Sequence, residues 1–267
     1  MHLYNADVAK KFIFRYFSVL LTDGLKNILV SMPNKDIPNK FIELNKFLSN
    51  VCIIWVKNIT SLLILSILFL FIVIGCNKPQ ATGEDFAGID VSQEPLQNKY
   101  TSGDRIIKKD KDSEFIINPV AEYKIAAIVV SKKSYHDGWH ADIAPVDLAL
   151  AWGKMADPEY DKYITYSQSD RWYFYEYEEE SPFDDNFVIT HSANNHIIPA
   201  DENIYKAVKT LKKKERVLLE GYLVNVAGRY KGGNFWWNSS LTRRDGGDGS
   251  CEVFYVKKIK IGTNVYE

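Results

Sequence analysis

The stretch ERVLLEGYLVNVAG, residues 215–228, decides the fold, together with FWWNSSLT (235–242), RRDGGDGS (243–250) and CEVFYVKKIKI (251–261) downstream of it. Branched and aromatic residues dominate the three apolar segments, which is strand composition. Gly221 interrupts the first and predicts a bulge or the tight bend of a small barrel. The Asp and Gly residues of 243–250 tolerate positive φ, so the last two segments read as a hairpin.

Upstream, EYKIAAIVVS (122–131) reads as a further strand. Pro145 in a first turn, with Leu148, Trp152 and Met155 on one face, predicts a helix capped by Asp142 or Ala144. Tyr163–Glu178 alternates in aromatics and predicts one or two strands broken near Ser169 and Asp170; Phe187–Thr190 predicts a short strand. Ile204, Val208 and Leu211 at helical spacing, with Asp201 as cap, predict a helix over 201–211. These elements imply an α+β domain over 115–267. Its expected core is a small, strongly curved antiparallel sheet or partly open barrel, OB-like or SH3-like, with one or two short helices.

The 46% apolar and 25% charged composition is that of a folded chain. Of the 33 basic and 34 acidic residues, 8 and 4 precede Cys76, which leaves 25 basic against 30 acidic in the remainder. That acidic excess argues against a nucleic-acid partner. With only Cys52, Cys76 and Cys251, the domain has no disulfide framework.

ITSLLILSILFLFIVIG, residues 59–75, has no charge and lies at the lower limit for crossing a bilayer. Lys46 and Lys57 upstream predict a cytoplasmic N-terminal side and export of the C-terminal side. Val73, Ile74, Gly75 and Cys76 close this run and resemble the lipobox of bacterial lipoprotein precursors. The resemblance implies cleavage before Cys76, acylation of its thiol and a lipid-anchored domain at the cell membrane or outer membrane, facing the periplasm or exterior. Two acyl signals hold a protein stably where one does not. The competing expectation is an uncleaved signal anchor. Residues 1–58 read as a cytoplasmic extension or an over-extended start, with Met32 opening a shorter precursor. Residues 76–114 are poor in large apolar side chains and predict a flexible tether with a reach of roughly 30 Å.

No GxSxG elbow, Gly-rich phosphate loop or CxxC pair occurs. His136 with His140, and His191 with His196, fall in expected loops and carry the lone pairs a zinc-dependent hydrolase would need; neither spacing is the helical HExxH arrangement. Cys251 within CEVFYV reads as a buried small hydrophobe, and Asp245, Asp248 and Glu252 as turn chemistry rather than a calcium loop. Trp139, Arg171, Trp172, Trp236 and Trp237 form the expected binding surface, since a small barrel cannot bury so much aromatic area. The expectation is a non-catalytic envelope module for a partner protein or glycan, needing no cofactor. The strings APVDLALAW (144–152), HSANNHIIPA (191–200) and SSLTRRD (239–245) resemble segments of uncharacterised membrane-anchored bacterial proteins, a likeness that implies no activity.

Overall fold

The computed structural model describes residue 46 and residues 49–51, 53–56, 58–66, 78–110 and 113–267. The chain divides into two units, Met1–Ile74 and Gly75–Glu267. In the first, Ser49–Ser66 is one helix long and apolar enough to cross a membrane, by length and composition. Cys76 and residues 67–75 lie outside the described residues.

The second unit is β-rich. Its strands are β1 (Gly83–Glu84), β2 (Leu96–Lys99), β3 (Ile106–Asp110), β4 (Ser113–Ser134), β5 (Val146–Ala151), β6 (Ile164–Ser169), β7 (Trp172–Tyr177), β8 (Ser192–Pro199), β9 (Arg216–Tyr230), β10 (Gly233–Asn238), β11 (Glu252–Ile261) and β12 (Asn264–Tyr266). Between them, among the described residues, lie three α-helices, α1 (Trp139–Ile143), α2 (Asp185–His191) and α3 (Glu202–Thr210), and two 3-10 helices, Gly153–Ala156 and Pro158–Tyr163.

Five of these strands pair in a closed circuit. β4 pairs with β5, β5 with β8, β8 with β11, β11 with β9, and β9 back with β4. The β8–β11 pair is parallel and the others are antiparallel, so the sheet is mixed rather than the antiparallel one expected. β4 would run about 70 Å if straight, at roughly 3.3 Å per residue, and two register shifts let it turn instead. One skips Val120, beside Pro119, which has no N–H to give; the other skips Val130. Gly221 sits where β11 bulges at Lys257, and a Cβ there would lie 2.0 Å from the Tyr255 carbonyl oxygen. The expected bend at Gly221 is therefore a close approach of two backbones.

The circuit encloses the main core, which includes Tyr123, Ile125, Leu148, Leu150, Ile197, Leu219 and Phe254. α3 supplies Ile204, Ala207 and Val208, and Leu211 follows it into the same core. Its first turn is held as expected, by Ile204 N–H donating to Asp201 Oδ1 at 2.9 Å. Two smaller apolar clusters cover outward faces of the strands. One lies under β6 and β7, the other under Trp139, Phe235 and Trp237.

Four further expectations differ from the structure. Most of the helix read over 145–155 is β5, all six residues of which are buried, and only Gly153–Ala156 beyond it turns helically, as a 3-10 turn; a strand covered on both faces loses its alternation and mimics a helical run. Phe187–Thr190 belongs to α2, whose start is fixed by Phe187 N–H donating to Asp184 Oδ1 at 2.8 Å. The hairpin joining 235–242 to 251–261 does not form. β10 instead folds back on β9 through Lys231 and Gly232 (φ 48° and 85°), while β11 lies along β8 and β9. The stretch read as a tether carries three short strands, with β1 on β12 and both β2 and β3 on β4.

Candidate functional site

The β6–β7 turn is made by Asp170 and Arg171 with φ 52° and 72°, both in the left-handed region that non-glycine residues seldom occupy. This turn delivers Arg171 to the outward face of β5. Its Nη1 donates to Asp147 Oδ1 at 2.7 Å and to the Ala144 carbonyl at 2.8 Å, and its guanidinium lies 3.8 Å from the Tyr135 ring centroid. The Tyr135 hydroxyl accepts from Arg171 N–H at 3.1 Å, which holds the strained turn in place.

Asp147 is fully buried and stands directly across from His196 in the β5–β8 ladder. His196 Nδ1 lies 2.9 Å from Asp147 Oδ1 without forming a hydrogen bond to it. The ion pair with Arg171, only 18% of whose side chain is exposed, is what makes a charged Asp147 tolerable there. Asn194, one turn of the pleat away, accepts from Gln168 Nε2 at 2.7 Å and donates to the Arg171 carbonyl at 3.1 Å and to Cys251 Sγ at 3.6 Å.

Above this floor is an open cleft of about 130 Å³, lined by His140, Arg171, Trp172, His196, Trp237, Asn238, the segment Gly247–Gly249 and Cys251. Trp139 is stacked between His140 (3.5 Å) and Phe235 (3.8 Å), and Trp237 meets both His140 and His196 (5.0 and 4.5 Å). Burial, then the positive charge of Arg171, lowers His140 to about 4. Its imidazole is therefore neutral at pH 7. Cys251 is half-buried and lines the cleft instead of filling the core; burial pushes its thiol up to about 12, so it offers no thiolate.

Of the sequence-derived surface, Arg171, Trp172 and Trp237 meet in the cleft and Trp139 supports it from below. Trp236 points away from that cluster, 75% exposed. The four histidines do not meet. His140 and His196 share the cleft, His136 is exposed on its loop, and His191 stacks on Phe187 at 3.9 Å. Among the described residues no group of three or more His, Cys, Asp or Glu side chains is placed to hold a metal ion. Sequence reading missed Asp147 and Asn238. Asp147 had a signal, one charge inside the otherwise apolar VDLALA, which the helical reading of that segment passed over.

No protein-family model, curated protein or solved structure matches this chain.

Proposed function

We propose that the second unit is a non-catalytic, glycan-binding module of the cell envelope, built on an OB-like barrel and held at the membrane by a lipid on Cys76. The strand circuit supports the barrel. Its order, β4–β5–β8–β11–β9, has a helix between the third and fourth strands in sequence and a parallel pair formed by the third and fifth. In OB-like barrels the face of the second and third strands, flanked by the loops after the first and fourth, is where oligosaccharides or oligonucleotides bind.

The observation that carries the binding reading is the coincidence of the cleft with that face. Asp147 and His196 lie on the second and third strands, His140 comes from the loop after the first, and Trp237, Asn238 and Gly247–Gly249 come from the connection after the fourth. A neutral sugar fits this lining better than a phosphate backbone does. Arg171 is already committed to Asp147, His140 is uncharged, and Asp248 repels anions. Trp172 and Trp237 present apolar faces, while His196, Asn238 and Asp248 present hydrogen-bonding groups to hydroxyls.

Titrating neutral envelope-type oligosaccharides into the full chain in detergent, with tryptophan fluorescence as readout, tests this. Saturable binding, weakened roughly tenfold or more by Trp237→Ala, is expected for a central aromatic contact. Salt-sensitive oligonucleotide binding in the absence of sugar binding would overturn it. Mass spectrometry of the membrane-purified protein is expected to find an acylated N-terminus at Cys76; an unmodified Cys76 behind an intact upstream segment would leave a signal anchor.

A further inference from the structure

Directly behind the cleft, the inward side of the same strands carries a second set of polar groups that the proposed function does not use. Glu252 precedes Phe254 on the core face of β11, and its neighbour across the parallel ladder is Asn195, itself opposite Leu148. Tyr123, Trp152, Asn195 and Glu252 are 2%, 0%, 0% and 3% exposed. Trp152 Nε1, Asn195 Oδ1, Glu252 Oε2 and Arg243 Nε are all buried with no protein hydrogen-bond partner, and Tyr123 Oη, equally buried, faces the Arg243 guanidinium. Asn195 spends its amide on the Ala193 carbonyl at 3.2 Å.

Arg243 reaches this end of the circuit from the β10–β11 connection. Its guanidinium lies 5.5 Å from the Tyr123 ring centroid and 6.0 Å from that of Trp152, and Nη2 donates to Gln97 Oε1 at 3.2 Å. Among the described residues no carboxylate comes within ion-pair distance of Arg243.

We infer that this mouth of the circuit is a binding site for one small monovalent inorganic anion, halide-sized, received by the Tyr123 hydroxyl, the Trp152 indole N–H and the Arg243 Nε–H. Three donors and one uncompensated cation are the complement of such an ion, and buried polar groups left without partners are costly. Glu252 does not oppose it at neutral pH. Burial raises its carboxyl to about 8, against a smaller lowering by Arg243, so the acid is largely protonated. The titratable and charged groups facing Glu252 are Arg243, Asp245, Tyr123 and Cys251.

Chloride, exchanged against gluconate at constant ionic strength, is the probe, applied to the full chain in detergent. A saturable rise in thermal midpoint with a change in tryptophan emission is expected, lost in Arg243→Gln and weakened about tenfold in Tyr123→Phe, which removes only the hydroxyl. Binding is expected to fall as pH passes about 8 and Glu252 ionises. Glu252→Gln should bind chloride with that fall removed. If Arg243→Gln fails to fold, the Tyr123→Phe and Glu252→Gln proteins decide. Chloride and gluconate giving the same midpoint, or a chloride response equal in Tyr123→Phe and the parent with an unchanged pH profile in Glu252→Gln, would overturn the site.

Discussion

Asp147 and Glu252 are both buried acids at one end of the same strand circuit, yet they face opposite ways and are stabilised differently. Asp147, on the outward face, has Arg171 at 2.7 Å and His196 at 2.9 Å. Glu252, on the inward face, has an unpartnered Oε2 and a carboxyl raised to about 8 by burial. A buried carboxyl is accommodated either by a counter-charge or by keeping its proton, and this small domain uses both, on opposite faces of one sheet.

The largest expected effect breaks the first arrangement. Arg171→Ala leaves Asp147 buried without its cation and should cost about 3–5 kcal/mol. Denaturant unfolding monitored by tryptophan emission measures it; a loss below about 1 kcal/mol would mean that the pair is solvated. Replacing both residues with apolar ones of similar volume should restore most of the loss.

The second arrangement is tested by pH. The folded Glu252 keeps its proton up to about 8, whereas the unfolded chain releases it near the ordinary carboxyl value of 4.5. Its stabilising contribution is thus fully present below pH 4.5 and is lost as pH rises towards 8. The slope should be about −1.4 kcal/mol per pH unit from this group. Glu252→Gln should flatten the stability profile across that window; an unaltered slope would place the proton elsewhere.

A smaller effect sharpens the comparison. Asp201→Ala removes the α3 cap away from both acids, and should lower stability by about 1 kcal/mol. Neither the pH slope nor the response to Arg171→Ala should change, because no group is shared; coupled effects would show that the two faces are not independent.

Much of the framework was legible because it is written in local chemistry. Asp201 with Ile204, Val208 and Leu211 marks α3, the break at Asp170 divides β6 from β7, and Gly221 marks a close backbone approach. Arg171, Trp172 and Trp237 stood out because large cationic and aromatic side chains are too numerous here to be buried. The sequence by itself therefore determined a β-rich domain with one capped helix and an aromatic-rich surface, following an apolar segment, since composition and short-range periodicity carry those properties. Tertiary structure alone decided that 146–151 is a strand, that β10 and β11 part company, and that β8 and β11 run parallel. Apolar runs buried on both faces carry no period, and strand partners are selected by contacts far apart in sequence. It also decided the roles of the acids. Whether a carboxyl is paired like Asp147 or left with its proton like Glu252 depends on which strand lies alongside, and no local pattern in VDLALA or CEVFYV records that neighbour.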